Sequence, residues 1–364
     1  MATPGKEDKE KEGEEKLITV NLREAKNIIK TSMRTKTPCL LLGTPGIGKS
    51  EIVEQVAKKE GGGFLCFEAS SLDPTDIRGV LVPAENNKSC FTKSPLLPDV
   101  ERHGKEGILL IDELPSGLPS VQVALHPLFH PRERRLGGDK LPDGWIPMAT
   151  GNYVSDNAGA RNILSALSDR ICILNIVEDY GIWKNDYAIP NKIHPMVIAF
   201  LHFRPNLLST FSKRNKNSKE KTFATPRSHA AVSAVLYEAD KNTLSQEELL
   251  AMLTGLVGAG IATEYIAYMK LCDKLTDPRE ILVKGNYVKH KDPSVLYALC
   301  TAIASHLDKV EIPINKAIDR MLEYSLQIEA EFGGLLIRDA YILHYAKMKQ
   351  ATLWPTVANR YMTT

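Results

Sequence analysis

The chain has 364 residues, 43% of them hydrophobic and 25% charged, which excludes a fibrous or wholly disordered protein. At roughly 150 residues per domain that length suggests two or three domains, with a core large enough to need no disulfide staples. Forty-six basic against 44 acidic side chains leave a formal charge of +2, too balanced to mark a nucleic-acid binder. Cysteines 39, 66, 90, 172, 272 and 300 include no CxxC pair. That pattern suits a reducing compartment, argues against a zinc ribbon, and reads as small core hydrophobes.

Residues 1–16 are mostly Lys, Glu, Asp and Gly without an apolar h-region, so they read as a disordered charged tail rather than a targeting signal. From Leu17 to Val177 short β-type runs alternate with helix-compatible stretches. The expected strands are Cys39–Leu42, Phe64–Ala69, Ile108–Ile111, Ile146–Ala149 and Ile171–Ile176, and helices between them imply a parallel sheet covered on both faces. Val80–Val82 and Cys90–Thr92 flank the turn-rich segment Glu85–Lys88 and read as an inserted β-hairpin. Residues 17–178 are therefore expected to form an α/β domain, followed by a linker at 179–192 that contains Pro190. A helical lid is expected at 193–310 and a helical C-terminal extension at 311–364. Within the lid, Thr225-Pro226-Arg227 is a helix start, and Glu247–Met269 and Val295–Leu307 read as helices. Gly255, Gly258 and Gly260 suggest close helix packing there, and Lys213–Lys221 reads as a loop. The longest uncharged apolar stretch, Leu249–Thr263, is too short to span a bilayer core, so a cytoplasmic protein with no membrane contact is expected.

Gly43-Thr44-Pro45-Gly46-Ile47-Gly48-Lys49-Ser50 fits the phosphate-loop pattern G-x-x-x-x-G-K-[ST], entered from an apolar run and left by a helix-prone one. That order has a physical reason. Glycines let backbone N–H groups close around phosphate oxygens, and a helix N-terminus adds favourable partial charge. Lys49 then suits the β- and γ-phosphates and Ser50 the Mg²⁺. About 60 residues on, four apolar residues end in Asp112-Glu113, placing two acids at the mouth of a buried strand. Asp112 suits the Mg²⁺ shell, and Glu113 a water aimed at the γ-phosphate. The combination points to a nucleotide hydrolase.

With these motifs in place the chain resembles the AAA+ ATPases, and within them the MoxR-like branch. Ala149-Thr150-Gly151-Asn152 resembles the sensor 1 strand, and Leu164–Arg170 the arginine-finger segment. Thr225-Pro226-Arg227 is similar to the sensor 2 signature, and Ser71–Gly79 to the segment before the MoxR-like hairpin. The resemblance implies ATP as substrate and a P-loop NTPase sheet with an all-helical lid. It assigns Glu113, Asn152, Arg170 and Arg227 as catalytic residues, with Arg161 a second candidate for the finger. It also implies a ring, commonly a hexamer, in which Arg170 acts on a neighbour's nucleotide and a protein partner is remodelled. Proteins carrying a von Willebrand factor A domain are the leading class of partner. A nucleotide-gated scaffold, in which ATP controls assembly rather than powering work, is the alternative. His126 and His130 have metal-like spacing, but Pro127 and the lack of a third ligand favour a capping role for His130.

Overall fold

The computed structural model describes residues 18–84, 88–92, 94–154, 160–211, 222–241, 243–272 and 276–361. The tail at 1–16, the turn residues 85–87 and the loop at 213–221 lie outside them. Contacts divide the chain into two units, one holding residues up to Thr44 with Lys49–Val177 and the other Pro45–Gly48 with Glu178–Thr364.

The first unit carries strands β1 (Thr19–Asn21), β2 (Cys39–Leu42), β3 (Gly63–Glu68), β4 (Leu81–Ala84), β5 (Lys88–Phe91), β6 (Glu106–Asp112), β7 (Arg135–Leu136), β8 (Asp139–Lys140), β9 (Gly144–Gly151) and β10 (Cys172–Val177). Its helices are α1 (Leu22–Thr35), α2 (Lys49–Lys59), α3 (Pro74–Arg78), α4 (Val100–His103), α5 (Pro119–Leu125) and α6 (Ser165–Ser168). Six strands form one parallel sheet in the order β1-β10-β2-β9-β6-β3. The five strands expected from apolar runs are all present, Cys39–Leu42 with the expected bounds and the other four shifted or extended by a residue or two. Strand β1 is too short for such a signal and is held by pairing with β10 and by the capping box of α1, where Asn21 and Glu24 bind each other's backbone N–H. The inserted hairpin forms as β4 and β5, paired with Leu81 opposite Phe91.

Two prolines shape the chain after the acidic pair. Glu113 sits in the left-handed region at φ 52°, Leu114–Ser116 make one 3₁₀ turn, and α5 begins only at Pro119. His130 does cap its segment, its Nδ1 accepting from the N–H groups of Arg132 at 3.3 Å and Glu133 at 3.2 Å. Cys39, Cys272 and Cys300 are buried as expected, whereas Cys66, Cys90 and Cys172 are exposed. Apolar character alone did not reveal that β3 is a sheet edge and that the hairpin is open to solvent.

The second unit is helical, with α7 (Tyr180–Trp183), α8 (Pro195–Phe203), α9 (Pro226–Ala239), α10 (Gln246–Val257), α11 (Ala259–Cys272), α12 (Pro293–His306), α13 (Ile314–Gln327), α14 (Ala330–Met348) and α15 (Trp354–Tyr361). The segment expected as a linker is itself helical, with α7 running into a π turn over Lys184–Ala188. Lys184 is buried there against Asp339 of α14 at 2.7 Å. Helix α12 packs on both α8 and α14, so the C-terminal helices share its core. Glu247–Met269 is two helices rather than one, because Gly258 at φ +89° ends α10. Close packing does not explain the other two glycines. A Cβ on Gly255 or Gly260 would meet nothing within 4 Å.

His229 of α9 is wholly buried, with Nε2 facing the Leu207 carbonyl at 2.9 Å and Nδ1 facing the Tyr265 hydroxyl at 2.9 Å. Burial pushes its pKa down to about 4, against a partial rise from the Leu207 carbonyl. The unfolded chain takes up this proton near pH 6.5 and the folded chain only near 4. The stability His229 contributes is therefore complete above about pH 6.5 and is lost as pH falls toward 4, by about 3 kcal/mol. Urea midpoints should fall across that window, and His229→Gln should flatten the fall.

Candidate nucleotide site

Three central strands of the sheet end side by side, and their C-terminal ends carry the polar residues. Strand β2 runs into the loop at Gly43, whose N–H continues the ladder to the Gly151 carbonyl of β9 at 3.3 Å. The loop turns at Gly46 (φ +75°) and Gly48 (φ +94°), backbone states that side chains other than glycine's rarely adopt. Helix α2 then begins at Lys49.

Lys49 is only 8% exposed, yet its ammonium is well solvated by the protein. It donates to the Gly43 carbonyl at 2.8 Å, the Thr44 carbonyl at 2.9 Å and Asn152 Oδ1 at 3.0 Å. Ser50 Oγ donates to both oxygens of Asp112, at 2.8 and 2.9 Å. The Thr150 hydroxyl also donates to Asp112 Oδ1. The Glu113 N–H points to the same pair, 3.2 Å from Asp112 Oδ1 and 3.4 Å from Thr150 Oγ1. Lys49, Ser50, Asp112 and Glu113 are thus brought together as the motif spacing implied, and Asn152, named only by the resemblance, joins them.

Thr150 is the functional residue that the motif reading left without a role. Register places Ile111 beside Ala149, so Asp112 and Thr150 leave neighbouring strands at the same level. The available signal was a lone hydroxyl residue closing an apolar strand beside the acidic one.

Arg170 and Arg161 are not part of this cluster. Arg170 meets the ring nitrogens of His126, one of them at 3.1 Å. Strand β10 starts at Cys172, level with Cys39 at the beginning of β2, so Arg170, in the turn just before it, lies at the opposite end of β2 from the loop. Arg161 is exposed and donates its N–H to the Pro115 carbonyl at 2.8 Å. Arg227 is in the first turn of α9, where the Thr225 hydroxyl accepts from the Ser228 N–H at 3.1 Å. Within the second unit the Arg227 N–H donates to the Gly46 carbonyl at 3.3 Å, and a Cβ on Gly46 would come within 2.8 Å of Thr225 Oγ1.

Residues 38–171, from just before β2 to just before β10, match the model of the AAA domain, dynein-related subfamily. With its parallel sheet and loop, this stretch has the AAA form of the P-loop NTPase fold. No curated protein matches the chain. Among solved structures, a Cytophaga hutchinsonii protein named "putative ATPase" is 14% identical, with a TM-score of 0.35, over 69% of this chain and 90% of its own. NtrX of Brucella abortus is 15% identical, with a TM-score of 0.33, over 95% of this chain and 69% of its own. Likenesses of that size carry nothing across to this chain. Among the described residues, no helix is long and apolar enough to cross a membrane, and no cluster of His, Cys, Asp or Glu could hold a metal ion by itself.

Gly151 lets β9 and the 3₁₀ turn approach each other, since a Cβ there would collide with Cδ of Pro115. Gly151→Ala should cost about 1–3 kcal/mol in denaturant unfolding, because a proline ring fixed to the backbone cannot swing aside.

Proposed function

We propose that this protein is a MoxR-like AAA+ ATPase that assembles into a ring and remodels a protein partner. The observation that carries the reading is the buried Lys49 ammonium, held by neutral oxygens beside the Ser50–Asp112 pair. Such a cation, oriented by those oxygens at the end of the loop, is suited to the outer phosphates of a nucleotide.

The donor set also fits a hydrated Mg²⁺, because a hydroxyl and a carboxylate at one point supply hard oxygen ligands. Ser50 and Asp112 would hold it, and when bound it would neutralise charge on the β- and γ-phosphate oxygens. Thr150 keeps Asp112 in place. Glu113 would take the proton of the attacking water, and Asn152, fixed by Lys49, would orient that water. The left-handed backbone at Glu113 is the kind of local strain that folds tolerate at working sites.

The separation of Arg170 from its own loop supports a role on a nucleotide bound to another copy, and so a ring. Arg227 is proposed as the sensor 2 residue. Leu81 and Phe91 stand exposed on the hairpin together with Val80, an apolar surface suited to a protein client such as a von Willebrand factor A domain.

Lys49→Ala should abolish ATP binding, while Glu113→Gln should bind ATP and fail to turn it over. Wild-type hydrolysis by Glu113→Gln would remove Glu113 from the reaction. Arg170→Ala should keep its ATP affinity and lose about 10³-fold or more in rate. Mixing Arg170→Ala with Lys49→Ala should restore part of the rate, because one copy supplies the loop and the other the guanidinium. A mixture as inactive as its components would contradict trans action.

A further inference from the structure

We propose that Cys39 and Cys172 are a redox-active pair that a peroxide converts into an intramolecular disulfide. The sheet sets the geometry. Strands β2 and β10 are parallel neighbours, and their register places Cys172 directly beside Cys39. Residues paired across neighbouring strands lie about 4.8 Å apart, inside the Cα window of about 4.4–6.8 Å that a disulfide spans. Paired residues project to the same face of the sheet, and the two thiols are close enough to hydrogen-bond. Both are free.

Their environments divide the chemistry. Cys172 is exposed and accessible to a small oxidant, whereas Cys39 is 1% exposed. Burial pushes the Cys39 thiol up to about 11, so it is not the first sulfur to react. Cys172, as thiolate, attacks one oxygen of hydrogen peroxide. The O–O bond breaks, the departing hydroxide takes up a proton as water, and Cys172 becomes a sulfenic acid. The Cys39 sulfur then displaces that hydroxyl. The S–S bond forms, the S–O bond breaks, and the Cys39 proton leaves with the hydroxyl as a second water. Two thiols lose two electrons, and one peroxide is reduced to two waters. Adjacency in a fixed sheet replaces the thiolate advantage that Cys39 lacks, since neighbouring groups react at a high effective concentration.

The pairing is specific to these two. On its strand Cys66 faces Leu110, and Cys90 faces Val82, so neither has a cysteine beside it in the sheet or hairpin. The bond would close a loop from residue 39 to 172 that contains Lys49, Ser50, Asp112 and Asn152. It would also fix β10 two residues after Arg170 to the strand that leads into the loop.

The test uses the full chain treated with a small excess of hydrogen peroxide, then alkylated in denaturant and digested without reductant. Mass spectrometry should find a Cys39–Cys172 linked peptide that dithiothreitol abolishes. In Cys39→Ser, Cys172 should stop as a sulfenic acid that dimedone traps. In Cys172→Ser, whose change is on an exposed side chain, Cys39 should remain a thiol. The proposal is overturned if Cys39 and Cys172 are both alkylated after Cys66 and Cys90 have been oxidised. It is equally overturned if dimedone labels Cys172 as readily in the wild type as in Cys39→Ser.

Discussion

One ammonium group sets the terms for the site. Lys49 is buried, and a buried cation is costly unless polar groups replace the water it gave up. Two loop carbonyls and the amide oxygen of Asn152 do so, and none of the three carries a full charge. At those three points the group is therefore solvated by neutral dipoles. A protein that only needed a tight strand-to-helix turn would gain nothing from a cation there.

The sheet exists around that requirement. Lys49 follows β2, Asn152 and Thr150 end β9, and Asp112 ends β6, and these three strands are consecutive neighbours. Parallel pairing puts all three C-terminal ends on one edge, so residues about 100 apart in sequence meet within hydrogen-bond distance. Gly43 carries the ladder into the loop, and Gly151 makes room for the Pro115 ring that turns the chain after the acids. Arg170 precedes β10 at the other end of the sheet, level with the start of β2.

Much of this was legible in the sequence because it depends on local rules. Apolar runs of four to six residues bounded by turn formers gave the five longer strands of the sheet, and the loop motif gave the order strand, glycines, helix. Features set by tertiary context were not legible. Three-residue β1 forms because β10 offers it an edge. Thr150 matters only because register brings it beside Asp112. Gly258 looked like a packing residue, but its positive φ makes it a helix stop. The exposure of Cys66 follows from strand order rather than from anything near it in the sequence. The buried Lys184–Asp339 pair joins residues that no motif connects.

The central claim is that the Lys49 cluster grips the outer phosphates of a nucleotide. Calorimetric titration of the unmodified protein with ATP and, separately, with AMP, both in magnesium, tests it most directly. ATP should bind strongly and AMP at least about 100-fold more weakly, because the base and ribose are shared and only the outer phosphates differ. Equal affinities, or no binding of ATP at all, would contradict the account.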